Sequence, residues 1–269
     1  LDIQAAIISS PSSFHTDQAL VFAKAGIHML VEKPLSNKLD NLDELRRLIK
    51  KNEIITLVGY VLRHSPGASK FKEIFDKNII GRAVHARVEC GSYLPDWRPG
   101  RNYKKTVSAK KDLGGGVLLE LSHELDYIRW IFGEIKNIYA QIDNSCTLDI
   151  GVEDSVNLII KTETNLSISV HLDFNSRFPT RQCIVHGTKG FLKWDLLEQQ
   201  VSWHLVGGEI NNDYFSFEHD YIYQLQLQHF LDCIENGMSP LVTFEDGLAA
   251  LRVIESAKKS NNIGKQIFL

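Results

Sequence analysis

The stretch Ala5–Leu35, AAIISSPSSFHTDQALVFAKAGIHMLVEKPL, decides the fold. Ile3–Ser9 is a short apolar run closed by Ser-Pro-Ser-Ser, which reads as a strand and its turn. Thr16–Ala25 carries Ala19, Leu20, Val21, Phe22, Ala23 and Ala25, a helical pattern stopped by Gly26. Ile27–Val31 reads as the next strand. Just beyond, Asp40–Lys51 spaces Leu42, Leu45, Leu48 and Ile49 at helical intervals, and Ile54–Tyr60 is a third strand. Strand, helix, strand, helix, strand at this spacing predicts right-handed crossovers and a parallel sheet. Open sheets of that kind bind ligands at the carboxyl ends of their strands, which is where Glu32-Lys33-Pro34 falls.

The pattern changes downstream. A helix over Ser69–Asp76 follows the Pro66-Gly67 turn, and Ala83–Cys90 is a strand. Gly91–Gly116 is a polar loop rich in Gly, Lys and aromatics, and a helix is expected over about Val117–Phe132, ended by Gly133. Strands follow near 135–143, 154–163, 166–175, 181–187, 190–195 and 200–206. Leu166–Phe174 alternates Leu, Ile, Val, Leu and Phe with Ser, Ser, His and Asp, so one face of an antiparallel sheet is covered. Two helices, about 219–236 and 245–260, close the chain and can pack back on its first part. The expected fold class is α/β followed by α+β. The change of pattern is expected to divide the chain into residues 1–64 and 65–269.

Composition narrows the function. The chain has 269 residues, 43% hydrophobic and 23% charged, with net charge -3. A pI near 6.4 leaves no electrostatic footprint for nucleic acid. No apolar run approaches the ~20 residues of a membrane helix. The four cysteines are scattered without a C-x-x-C pair, as in a protein of a reducing, cytoplasmic compartment. No histidines stand at metal-ligand spacing.

Lys33 can hold a reacting hydroxyl, since a fixed ammonium stabilises developing alkoxide charge; alone, a lysine at a loop start is usually a surface group. Glu120 and His123 are three apart, on one helical face, with Tyr127 a turn further. A histidine accepts a hydroxyl proton near neutral pH, although it can equally cap or pair with Asp126. The hydroxyls and N–H groups of Ser10-Pro11-Ser12-Ser13-Phe14-His15 suit ribose or phosphate oxygens, or serve as a helix cap. Tyr60 and Arg63 end the third strand. In the loop, Tyr93 and Trp97 offer flat faces for a sugar or nicotinamide, and Arg98 and Arg101 can pair with a carboxylate or phosphate.

Glu-Lys-Pro after a strand, Gly114-Gly115-Gly116 and His123-x-x-Asp126 together resemble the Gfo/Idh/MocA oxidoreductases over almost the whole chain. The resemblance implies NAD(P)-dependent oxidation of a sugar, sugar derivative or nucleotide sugar. Lys33, His123 and Glu120 would be catalytic. Ser10, Pro11, Ser13, His15, Glu32, Lys33, Arg63 and Trp97 would line the cofactor. Tyr60, Tyr93, Arg98, Arg101 and Tyr127 would meet substrate. It also implies that residues 1–64 are the C-terminal part of a dinucleotide-binding Rossmann domain and 65–269 a substrate and dimerisation domain, with a cis Lys33–Pro34 bond and a homodimer or homotetramer through the second sheet. Glu120 departs from the pattern, in which many members carry Asp four residues before the histidine. A cofactor- or sugar-sensing regulator and a redox-neutral NAD-using glycosidase or dehydratase are the alternatives.

No G-x-G-x-x-G occurs in the chain. The first strand resembles the family's fourth Rossmann strand, which implies roughly 60–70 residues upstream, about two βαβ units; a natural short form is the alternative. Because the glycine turn is the main pyrophosphate site, the 269-residue chain is expected to bind NAD(H) or NADP(H) weakly or not at all. Calorimetry checks this, and micromolar binding would contradict it.

Overall fold

The computed structural model describes residues 3–218 and 220–269, so the expected helix start at 219 lies outside the described residues. A three-stranded parallel sheet opens the chain, from β1 (Ala5–Ile8), β2 (His28–Val31) and β3 (Thr56–Val58) in that order. Helices α1 (His15–Lys24) and α2 (Leu42–Lys51) make the crossovers. Met29, Leu30, Val31, Leu57 and Val58 are all buried, as strands covered on both faces require.

After α3 (Pro66–Asp76), a nine-stranded sheet is built from β4 (Ala83–Gly91), β5 (Ile135–Asp143), β6 (Ser155–Thr162), β7 (Ser167–Asp173), β8 (Thr180–Gly187), β9 (Gly190–Asp195), β10 (Gln200–Leu205), β11 (Ile210–Tyr214) and β12 (Ile267–Phe268). The strand order is β11-β10-β9-β8-β4-β7-β6-β5-β12, antiparallel except for the central β4–β7 pair. The alternation in β7 holds for Ile168, Val170 and Leu172, which are buried, and for Ser167, Ser169 and His171, which are exposed. Asp173 departs from it. It is buried, and accepts hydrogen bonds from the Ser176 hydroxyl and from the N–H groups of Asn175 and Ser176. Strands β11 and β12 have too little apolar alternation to be seen in the sequence.

The expected helix over Val117–Phe132 is two helices, α4 (Val117–Glu120) and α5 (His123–Phe132), with a break at Leu121-Ser122. The Ser122 hydroxyl turns back to the Leu119 carbonyl at 2.9 Å, a bond that competes with helix continuation. Two further helices, α6 (Tyr221–Asn236) and α7 (Phe244–Ile263), close the chain. A capping box between Thr243 and Asp246 starts α7. Both helices reach the small sheet. Phe230 of α6 packs on Leu30 and Leu57, and Gly247 of α7 leaves no room for a Cβ against Val58 and Leu35. Among the described residues, no helix is long and apolar enough to cross a membrane.

A buried ionic cluster ties these parts together. The Arg63 guanidinium donates to both Asp126 oxygens at 2.9 and 2.7 Å, to Asp246 at 3.0 Å and to the Leu241 carbonyl at 3.2 Å. Burial opposes the charge, but Asp126 and Asp246 hold the Arg63 pKa above its ordinary value. Arg63 was expected at the cofactor; its donors are instead engaged inside the protein. Arg63→Met leaves Asp126 buried without its partner, and breaking a buried pair costs about 3–5 kcal/mol. Urea unfolding is expected to register a loss of that size.

Candidate active site

The site forms where the carboxyl end of β2 meets the break between α4 and α5. The Lys33–Pro34 peptide is cis. Lys33 Nζ donates to the Glu120 carbonyl oxygen at 2.8 Å and to Glu120 Oε2 at 3.3 Å. In a continuous helix that carbonyl would accept from the N–H of residue 124. Here the Glu124 N–H turns to Leu121 and the Asp126 N–H to Ser122, so the Glu120 oxygen is free for the lysine. Both side chains remain about one-fifth exposed.

His123 opens α5. Its ring meets the buried Tyr60 ring edge-on at 5.6 Å and 80°, and its Nδ1 is buried without a hydrogen-bond partner. Burial, then the charges of Lys33 and Arg181, hold its pKa well below the ordinary histidine value. The imidazole is therefore neutral at neutral pH, the form that accepts a proton. Burial raises the Glu32 pKa against smaller opposing effects from Lys33. The Glu32 carboxylate lies over Gly59, where a Cβ would come within 2.9 Å of Oε2.

The loop after β1 is fastened to the same strand end. His15 is buried between two carbonyls, with Nδ1 2.9 Å from Pro34 O and Nε2 2.8 Å from Ser10 O. Desolvation lowers its pKa despite those carbonyls. Both ring nitrogens thus face backbone carbonyls of the protein, and a neutral imidazole donates to one of them. The Ser10 hydroxyl donates to Gln18, while the Ser12 and Ser13 hydroxyls are buried without partners. Gly114 closes on this loop. It has φ +86°, and a Cβ there would sit 2.0 Å from Ser12 Oγ.

The structure thus joins Lys33, Glu32, Glu120, His123 and Tyr60, with the Ser10–His15 loop alongside. Other expected contacts have different surroundings. Tyr127 is fully buried against Trp194, at 5.4 Å, so it belongs to the core and not to an open substrate face. Trp97 donates to Ser92 and packs edge-on against Phe174, and Arg177 covers the Tyr93 ring at 3.5 Å. Arg98 and Arg101 are exposed. Glu124 and Arg181 escaped the sequence reading. Arg181 Nε donates to the wholly buried Glu124 carboxylate at 2.7 Å. The only hint was an arginine at the start of a strand otherwise patterned for burial. Among the described residues, no group of three or more His, Cys, Asp or Glu is placed to hold a metal.

Residues 1–60 match the oxidoreductase family model with an NAD-binding Rossmann fold, and residues 68–193 match the GFO/IDH/MocA C-terminal domain. The chain belongs to the Gfo/Idh/MocA oxidoreductase family. It is 25% identical over 254 residues to 1,5-anhydro-D-fructose reductase of Ensifer adhaerens, covering 93% of this chain and 75% of that protein. It is 26% identical over 277 residues to scyllo-inositol 2-dehydrogenase (NAD(+)) of Bacillus subtilis, covering 99% of this chain and 78% of that protein. Among solved structures, levoglucosan dehydrogenase in complex with NADH and levoglucosan superposes with a TM-score of 0.90 at 19% identity, covering 100% of this chain and 81% of that one. The last likeness bears on the fold, which it matches throughout. The family binds NAD(H).

The histidines make stability fall in acid. His64 stands 5.4 Å from His229, its Nε2 is buried without a partner, and burial, then His229 and Arg63, lower its pKa to about 4. The unfolded chain takes up that proton near pH 6.5 and the folded chain only near pH 4, so stability falls as pH drops through this interval. Urea midpoints measured from pH 7 to pH 4 are expected to fall, and His64→Leu to flatten the slope.

Proposed function

We propose that this protein oxidises a hydroxyl of a sugar, sugar derivative or nucleotide sugar, using NAD or NADP. The observation that carries the reading is the Lys33–Glu120 contact beside a neutral His123. Glu120 fixes the ammonium through two acceptors, which leaves Lys33 a donor for the substrate hydroxyl. Lys33 polarises that hydroxyl and stabilises the alkoxide as it forms. His123 accepts the hydroxyl proton, with Tyr60 holding its ring edge-on. Glu120 therefore positions Lys33.

The residues present fit part of a nicotinamide site. Ser12 and Ser13 hold buried hydroxyls without partners in the loop after β1, and Glu32 and Lys33 stand at the end of β2. Such hydroxyls suit ribose or phosphate oxygens. When bound, a nicotinamide supplies the hydride acceptor.

The division into residues 1–64 for the cofactor and 65–269 for substrate and assembly belongs to the same proposal. The outer face of the large sheet exposes Tyr139 and Ile159 and a stacked His85–His186 pair, which suits a second copy in a homodimer or homotetramer. The four free thiols suit the cytoplasm.

Turnover of a sugar panel by the protein expressed from its complete reading frame tests the reading. Lys33→Ala is expected to lower kcat/KM by about 10²–10³-fold, and His123→Ala by about 10²–10⁴-fold. Wild-type rates in both variants would overturn the mechanism.

A further inference from the structure

Helix α4 is a single turn, and a turn of this length does not hold itself. It makes two helical bonds of its own, from Glu120 N–H to the Gly116 carbonyl at 3.0 Å and from Leu121 N–H to the Val117 carbonyl at 2.9 Å. Its first N–H groups need acceptors from outside the turn. Gly116, which precedes them, has no side chain to offer one. Glu153, between β5 and β6, supplies two. Its backbone carbonyl accepts from Val117 N–H at 3.2 Å, and its Oε1 from Leu118 N–H at 3.3 Å. The carboxylate lies against Gly116, where a Cβ would collide with both of its oxygens. Gly116 also has φ +107°, so the position requires glycine on two counts. Burial raises the Glu153 pKa, and its own N–H, the Leu118 N–H, Lys258 and Lys111 oppose this less strongly. The carboxylate is therefore met chiefly by backbone, at the start of α4. Withdrawing it from water in this way carries a cost, which its hold on α4 accounts for.

We propose that Glu153 is a positioning residue for the reaction: it anchors α4 and, through Glu120, sets the place of the Lys33 ammonium. The inference rests on the role given to Lys33 above. Glu120 closes the same turn whose first N–H groups Glu153 holds. Its carbonyl and carboxylate are thereby fixed relative to the start of β6. Lys33 donates to both of them, at 2.8 and 3.3 Å. Without the Glu153 side chain, Leu118 N–H loses its acceptor and Gly116 faces open space. The turn then frays at its start, Glu120 moves with it, and Lys33 loses its defined pair of acceptors.

The test reads Lys33 directly. The 269-residue chain is acetylated sparingly, well below its melting midpoint. Mass spectrometry then compares labelling of Lys33 with that of the exposed Lys77. Glu153→Ala is expected to raise the Lys33-to-Lys77 ratio about 2–30-fold, the range for a lost helix cap. Glu153→Gln keeps a side-chain oxygen at the same reach and is expected to hold the wild-type ratio. If Glu153→Ala does not fold, Glu153→Asp, one methylene shorter, is read in its place. In protein expressed from the complete reading frame, the shortened variant is expected to lower kcat by a similar factor and Glu153→Gln to restore it. An unchanged ratio in the folded, shortened variant overturns the positioning role. So does a ratio in Glu153→Gln as high as in the shortened variant. A raised ratio with wild-type kcat overturns the link to the reaction. A raised ratio that Glu153→Gln restores, in a protein that turns over no sugar, supports the hold on Lys33 while the redox reading falls.

Discussion

Arg63 is the constraint on which the assembly depends. It sits just past β3 and reaches Asp126 on α5 and Asp246 on α7, so one side chain fixes three distant segments. Such a buried network adds little net stability over well-packed apolar residues of the same shape. Its effect is directional, because a guanidinium meets a carboxylate on both oxygens in only a narrow set of orientations. That orientation sets where α5 begins relative to the small sheet. His123 is the first residue of α5, and Lys33 comes from the strand next to β3. The distance between the two chemical groups is therefore set from behind, by residues that do not take part in the reaction.

The interruption at Leu121-Ser122 performs the second task. An unbroken helix would have spent the Glu120 carbonyl internally and turned Lys33 toward solvent. Breaking it exposes one backbone acceptor beside a carboxylate from the same residue, and the lysine takes both. This also accounts for a glutamate standing three residues before the histidine. Its longer side chain comes from the last turn of a separate short helix, so the spacing of a continuous helix does not apply.

The parallel unit was legible because its signals are local. Apolar runs, Gly26 as a helix stop and Glu-Lys-Pro at a strand end each need only a few neighbours to be read. The antiparallel strands followed from alternation, most clearly in β7. What escaped depends on partners far along the chain. Arg63 looks like a surface or ligand residue until Asp126 and Asp246 are beside it. His15 sits in a polar loop, and its burial between two carbonyls comes from the turn after β2 closing over it. Glu124 falls between a histidine and a leucine in a helix with polar residues on several faces, and only the packed sheet makes it interior. Asp173 continues an exposed polar alternation and is turned inward by the next turn. Periodicity describes how an element presents itself. It carries no information about which long-range neighbour will cover it.

The central place of β4 has a kinetic consequence. It is the earliest strand of the large sheet, yet it lies mid-sheet, with Ala86 opposite Ile168 on one side and Val185 on the other. Both partners come from far later in the chain. The sheet therefore cannot grow outward from its first strand as synthesis proceeds, and high contact order of this kind slows folding. Hairpins β5–β6 and β8–β9 are local and can form early, whereas β4 keeps both edges unpaired until they dock. During that interval the nascent chain carries an open apolar strand, the species most open to mispairing with other chains.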